Sequence, residues 1–510
     1  MRWLLVILAA CGHDTTTPPC ECMAGQVCEN DRCVDPWRYG SPVFSTCPGD
    51  ARATPESLAA KAAIYDQRAL ALHTQTKMPW VVDVALRSGA DPETATASDV
   101  VVWRSGENDG LFSALVLAAE AYRFAVTHDP AARTALATLL EGERQRMAIT
   151  GVPGLFTRQL IPPGVPGIEC PTDPAMYVPS PDKRGNKWVR IAGDGCAQVA
   201  DTTGTFTSTA HCGLQQFAGW CFLDNVSQDE YVGHMFALGA IARIVDDAEL
   251  RGIAIDMLKQ IGAHHAAHDM QFVDWDGRPT QWGKLFPGAE GDTPGYLAVL
   301  GASVIGNAAT GDPTYEDLFR SKAATFATYL DQIDIWQGPD GCESNWNDLS
   351  MLLASFHHLL WARDDIAVWR DAFVREVTSP PVTRGPLVQH NAWYDIMWAA
   401  QKPLGPGTDG PAYAAVEDAV CQLREFPRSN HAVAHDTSVL APEACTDRFM
   451  SSLAAVAFPI ADRCAATYAW WGNPYVRGTC IADATLVQQP SGYLLPYWMA
   501  RYYGFINADQ

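Results

Sequence analysis

From about residue 108 onward the chain alternates two kinds of apolar pattern. One is apolar nearly all round, over 111–126, 231–245, 296–309, 349–361 and 392–400. A helix without a polar face is buried on every side. The other keeps its apolar residues at helical spacing with charges opposite, over 131–147, 249–263, 315–330, 366–377 and 413–423. In 249–263 the stripe Leu250, Ile253, Met257, Leu258 and Ile261 stands beside Arg251, Asp256, Lys259 and Gln260. Such helices form an outer layer with the apolar face inward.

The joints from the first kind to the second are short and acidic: His128-Asp129-Pro130, Asp246-Asp247, Gly311-Asp312-Pro313 and Asp364-Asp365. An aspartate before a helix accepts its first free amide groups, and proline is tolerated at the first helical position. The opposite joints, roughly 150–227, 264–294, 331–347 and 379–391, are long. Short joints at one end and long ones at the other put every long loop on one face. Five pairs are visible, and helical sequence within 56–75 and 446–505 is available for a sixth that closes the ring.

The expected architecture is therefore all-α, an (α/α)6 toroid over 50–510 with elaborate loops on one face. An open α-solenoid is the structural rival, since paired helices alone do not dictate closure. One long joint holds "QFVDWDGRPTQWGK", 271–284, which reads as a β-hairpin turning near Asp276-Gly277 and leaning over the loop face. The repeat pattern across about 100–506 resembles the toroids of carbohydrate-active enzymes, such as unsaturated glucuronyl hydrolases, glucoamylase-like hydrolases and toroid polysaccharide lyases. That resemblance lies in the repeat and implies sugar chemistry without assigning catalytic residues.

The N-terminus changes the picture of where the ring works. Met1-Arg2 precede a short apolar run, Trp3 to Ala10, ending in Leu8-Ala9-Ala10-Cys11. The run is too short to span a bilayer. The motif resembles the lipobox of bacterial lipoproteins, which implies cleavage before Cys11, its lipidation, and an exported protein anchored in the cell envelope. No later stretch reads as a second anchor. Residues 12–19, "GHDTTTPP", read as a flexible tether. Cys20, Cys22, Cys28 and Cys33 crowd a segment too small for a core of its own, and 20–47 resembles an EGF-like stalk held by disulfides. A four-cysteine zinc site is the alternative reading of that segment.

With Cys11 set aside, fourteen of the 15 cysteines remain, an even number in an exported chain, so disulfides are the expected state. Cys170, Cys196, Cys212 and Cys221 fall in the longest joint, where two crosslinks would give it a fixed shape; Cys421, Cys445, Cys464 and Cys480 offer the same near the C-terminus. A net charge of -22 argues against nucleic acid as a partner. There is no P-loop, dinucleotide glycine fingerprint, His-Glu-x-x-His or Gly-x-Ser-x-Gly. His264, His265 and His268 have a spacing that metal ligands use, but they end a helix where histidine suits the dipole, and neither a metal nor a cofactor is assigned.

Polar clusters mark the starts of the apolar helices: Glu107-Asn108-Asp109, Ser227-Gln228-Asp229-Glu230, Asn345-Trp346-Asn347-Asp348, and His390-Asn391 with Asp395 one turn later. Each also reads as a cap, because Asp and Asn are favoured capping residues and acids in a first helical turn offset the helix dipole. In a closed ring they converge beside unusual aromatic content, with Trp103, Trp275, Trp282, Trp346 and Trp393 among the candidates for stacking on sugar rings. Asp109, Asp229, Glu230 and Asp348 are the pool of catalytic carboxyl groups, since glycoside hydrolysis uses two. Asn108, His234, Arg278, Asn345, His390 and Asn391 join the tryptophans as candidate substrate ligands, Arg278 being equally placed for a salt bridge to Asp274 or Asp276 of its own hairpin. His234 follows Glu230 by four residues, so the two side chains can meet on one helical face, and a buried, hydrogen-bonded structural histidine is the alternative reading. A lyase would draw instead on Asn430, His431, Arg278 and Tyr497. The leading expectation is an envelope lipoprotein that binds and cleaves an extracellular polysaccharide or oligosaccharide, with hydrolysis preferred to elimination. The other class is a surface lipoprotein that binds a glycan, or scaffolds a protein, without cutting.

Overall fold

In a computed structural model, the described residues are 27–29, 32–34, 56–288, 293–362, 367–380, 384–401, 410–432, 434, 436–463, 472–479 and 483–508. Cys11, the tether and most of the cysteine-rich segment lie outside them. Within that segment Val27–Glu29 pairs antiparallel with Arg32–Val34, which sets Cys28 opposite Cys33 in register.

The described residues hold twelve α-helices: α1 (Leu58–His73), α2 (Asp109–Thr127), α3 (Pro130–Ala148), α4 (Gln228–Ile244), α5 (Ala248–Ala267), α6 (Pro294–Gly311), α7 (Glu316–Phe326), α8 (Trp346–Ala362), α9 (Ala367–Thr378), α10 (Ala392–Ala399), α11 (Gly410–Glu425) and α12 (Ser491–Tyr502). The even-numbered helices are the apolar ones. Each packs on the next, α2 on α4, α4 on α6, α6 on α8, α8 on α10 and α10 on α12, and α12 returns to pack on α2. The ring is closed, which excludes the open solenoid. Outer helices α3, α5, α7, α9 and α11 each cover the inner helix that precedes them. The sixth outer place belongs to α1, whose Leu58 carbonyl accepts the Tyr493 hydroxyl of α12 at 2.8 Å.

The short joints are built as their sequence predicts. Asp129 accepts the amide of Ala131 at 2.9 Å with Pro130 as first helical residue, and Asp247 accepts those of Glu249 and Leu250 at 3.1 Å each. Asp364-Asp365 falls outside the described residues. The inner helices are buried along nearly their whole length, as Leu115, Leu117, Leu238, Leu300 and Leu352 illustrate. Helix α2 has the length and hydropathy of a membrane span, contrary to the expectation that no second stretch would, but it is sheathed by α3, α4 and α12.

The long joints correct the all-α expectation, because they carry sheet as well as loop. A four-stranded antiparallel sheet orders His431–Ala432, Asp483–Val487, Asp83–Leu86 and Val100–Arg104. A five-stranded antiparallel sheet within the longest joint orders Gln159–Ile161, Cys221–Leu223, Trp188–Ile191, Ala197–Ala200 and Phe206–Ser208. Their strands are only two to five residues long and bury small satellite faces under loops, so no long alternating pattern announces them. The hairpin at Gln271–Val273 and Pro279–Lys284 forms as read, with Gln271 opposite Lys284.

Disulfides Cys170–Cys221 and Cys196–Cys212 fix the longest joint internally, as its composition suggested. Nearer the C-terminus the grouping differs: Cys445 is bonded to Cys342, 103 residues away on the joint before α8. Cys421 is also disulfide-bonded.

Candidate active site

The starts of α2 and α12 and the edge of the four-stranded sheet enclose a cavity of about 440 Å³ on the loop face. Its walls are Val81, Val82 and Asp83, the run Arg104 to Asp109, Phe112 and Gln489. Asp83 and Arg104 stand opposite each other in strand register. The strand therefore brings one carboxyl group to the cavity, and the first residue of α2 brings another.

Asp109 is 8% exposed. Its carboxyl group turns back from the helix to accept the Gly106 amide at 2.8 Å and the Ser105 hydroxyl. Burial pushes it up to about 7 against the opposing pull of Arg146 and these two donors, and the charge of Asp83 adds to the rise. Asp83 accepts the Gln489 amide at 2.9 Å, and burial carries it up to about 6 against that bond and Arg104. Two electrostatically linked carboxyl groups, both raised by burial, thus share one recess. Such pairs can divide the roles of proton donor and acceptor.

The surrounding polar groups are braced. Asn108 accepts from Arg158 at 2.9 Å instead of capping α2, and the exposed Glu107 accepts the Asn186 amide at 2.9 Å. Gln159 donates to the Ser105 hydroxyl at 2.9 Å.

Of the residues singled out in sequence, Asp109 and Asn108 line this cavity, whereas Asp229, Glu230 and Asp348 are not among its walls. Asp229 is buried in the first turn of α4, receiving the Ser227 hydroxyl, and Asp348 is half-buried in the first turn of α8. Glu230 and His234 have no exposed surface and belong to an internal network. Asn345 and Asn391 do what caps do, accepting the amides of Asn347 at 3.2 Å and Trp393 at 3.1 Å. His390 lies 2.8 Å from Asp418, and Asp395 is buried beside that same carboxyl group.

Most of the candidate tryptophans are packing residues. Trp103 is buried and donates to the Leu72 carbonyl at 3.0 Å. Trp275 packs edge-on against His211 and Phe222, Trp346 stacks on Tyr475 at 5.4 Å, and Trp393 meets Phe236 inside the ring. Trp282 alone of the five is open, at 45% exposure. Arg278 is consumed by Asp276 at 2.6 Å and by the Ser180 carbonyl at 2.7 Å. It holds the hairpin to the longest joint rather than presenting its guanidinium to a ligand. Among the residues considered for elimination, Asn430 donates to the Gln489 carbonyl at 2.9 Å, His431 bonds Ser429 at 2.6 Å, and Tyr497 is buried within α12.

Asp83, Arg104 and Gln489 escaped the sequence reading. The one signal for Asp83 is its place within Val81-Val82-Asp83-Val84-Ala85-Leu86, where a lone carboxyl group interrupts an apolar run. No group of three or more metal-binding side chains occurs among the described residues.

No protein-family model matches the chain, and no curated protein matches it in sequence. Solved structures with a similar outline include the cellulase Cel9M of C. cellulolyticum in complex with cellobiose, at 10% identity and TM-score 0.38, covering 90% of this chain and 99% of that one. A GH9 protein of Bacteroides ovatus is 10% identical with TM-score 0.35, covering 87% and 82%. The GH family 9 endoglucanase J30 is 12% identical with TM-score 0.35, covering 90% and 85%. The likeness is one of gross outline.

Proposed function

We propose that the protein is a glycoside-cleaving enzyme of the cell envelope, tethered by a lipid on Cys11 and acting on an extracellular saccharide at the Asp83–Asp109 cavity. The observation that carries this reading is the meeting of a buried carboxyl group, Asp109, and a half-buried one, Asp83, in one recess on the loop face of a closed helical ring. Asp109, the more deeply buried of the two, gives its proton to the glycosidic oxygen as the C–O bond breaks and the bonding pair departs on that oxygen. Asp83, the less buried, accepts the proton of the attacking water as its oxygen bonds the sugar carbon. Asn108, Glu107, Gln489 and Arg104 supply donors and acceptors for sugar hydroxyl groups. The lipid anchor rests on Leu8-Ala9-Ala10-Cys11, and labelled-lipid incorporation lost in Cys11→Ser tests it.

The activity is tested by screening the full chain on a glycan array and analysing products from every ligand that binds. Hydrolysis yields a new reducing end, abolished in Asp109→Asn and Asp83→Asn. An unsaturated sugar end would replace this mechanism with elimination, and binding without any product would leave a glycan-binding lipoprotein.

A further inference from the structure

Helix α2 begins without a cap of its own. Asn108, at the capping position, is drawn off to Arg158, and Asp109 faces backward to Ser105 and Gly106. The free first-turn amide of Leu111 is instead met by a neighbour, the Glu230 carboxylate of α4, at 3.0 Å. The approach depends on Gly110, because a Cβ there would collide with that same carboxylate oxygen.

Glu230 is held from behind. His234, one turn along α4, lies 3.5 Å from it through Nε2, and its Nδ1 is 2.5 Å from Glu143 of α3. All three side chains are fully enclosed, and Phe156 stacks on the imidazole at 3.9 Å. Burial opposes a charged ring, yet Glu143, with Glu230 behind it, outweighs burial and carries His234 up to about 9. The ring therefore sits between two acidic side chains, and burial raises Glu230 in its turn against the pull of His234. Arg146, one turn after Glu143, lies over Trp80 at 5.1 Å and is the main charge opposing the rise of Asp109. A chain of groups thus runs from α3 through α4 to the residue next but one after Asp109.

We infer that Glu230, held by the Glu143–His234 pair, is a positioning residue: it caps α2 across the helix boundary and thereby fixes the direction of the Asp109 carboxyl group in the cavity. This rests on the reading of Asp109 as the acid, but its physical part can be measured without turnover. A buried carboxyl oxygen that accepts an amide at a helix start satisfies a donor the helix leaves free and fixes the backbone there. Its loss frees the first turn and lets water reach Asp109.

The test uses the full chain labelled isotopically at aspartate carboxyl carbons, with the Asp109 signal identified by its absence in Asp109→Asn. Wild type is compared with Glu230→Ala, Glu230→Gln and Glu143→Gln by carboxyl titration and by hydrogen exchange at Leu111. Glu230→Ala is expected to speed exchange at Leu111 by at least about tenfold and to move the Asp109 midpoint toward the ordinary range by about one pH unit. Glu230→Gln keeps an acceptor oxygen and restores most of both, whereas Glu143→Gln falls between. On a cleaved substrate, Glu230→Ala should lower kcat by about a hundredfold or more with KM within about threefold. A folded Glu230→Ala with unchanged exchange and unchanged Asp109 titration overturns the inference, whether or not a substrate is found. Where Glu230→Ala does not fold, Gly110→Ala takes its place, since its methyl group displaces the same carboxylate. Normal titration and exchange in that variant overturn the inference equally. Absence of product from wild type with the expected titration changes counts against the hydrolytic reading alone.

Discussion

The ammonium group of Lys183 lies 2.8 Å from Asp274, joining the longest joint of the ring to the hairpin that leans over its loop face. Asp224, at 2.7 Å, and Asp276, at 3.2 Å, complete a cradle of three carboxylates around one nearly enclosed cation. Removing the cation leaves like charges buried together, which is costlier than the net worth of the pairs. Lys183→Met should therefore destabilise by about 3–5 kcal/mol. Hydrogen exchange should show the hairpin strands opening first, and a Tm within a degree or two of wild type would disprove the account.

Stability should depend on Asp109 in the direction opposite to a salt-bridged carboxylate. Burial raises its folded pKa from an unfolded 3.8 to about 7, so between those values the folded state holds a proton that the unfolded state has lost. Stability is then full below about pH 4 and falls as pH rises to about 7, with a limiting slope of roughly 1.4 kcal/mol per pH unit that relaxation of the site reduces. Asp109→Asn lacks that decline. Its melting temperature relative to wild type should climb from pH 4 to pH 7 and level off above, and a constant difference across this range would contradict the buried-acid assignment.

Two tryptophans that look alike in sequence should separate under the same substitution. Trp346 is buried against Tyr475, and Trp346→Ala should cost about 3–5 kcal/mol. Trp282 is open to solvent, and Trp282→Ala should change stability by no more than about 0.5 kcal/mol while weakening any saccharide bound on the loop face. Parallel melts and binding titrations distinguish the two.

That contrast shows what the sequence could and could not convey. Periodicity located the inner and outer helices because each is long enough to repeat its face several times; Asp129, Asp247 and Asp312 marked the short joints because capping is local. Closure was legible only as an available sixth pair, since the packing of α12 on α2 joins the two ends of the ring. The cavity was half legible. Asp109 announced itself at a helix start, whereas Asp83 lies in a four-residue strand whose partners come from elsewhere in the chain. Glu230 and His234 were found as a pair and a buried histidine was one reading of it, but no local spacing could point to Glu143, which reaches the ring from another helix.

The Cys342–Cys445 bond spans 103 residues of sequence and ties the approach to α8 to the region preceding α12. Replacing both cysteines by serine should cost about 2–4 kcal/mol, because crosslinking a long loop chiefly restricts the unfolded chain. Comparing unfolding midpoints of the double variant with wild type, both kept oxidised, measures it. An unchanged midpoint would show that the bond constrains little.

Ring closure has a consequence for how the molecule comes to exist. Leu58 and Tyr493, which meet at the seam, are 435 residues apart in sequence. A nascent chain can assemble its helix pairs one after another as a widening arc, since each pair touches mainly its neighbours, yet the arc has two bare apolar rims until α12 arrives to join them. The last step is therefore the most demanding in loop-closure entropy, and the interval before the final helix is in place is the one most exposed to clumping between chains.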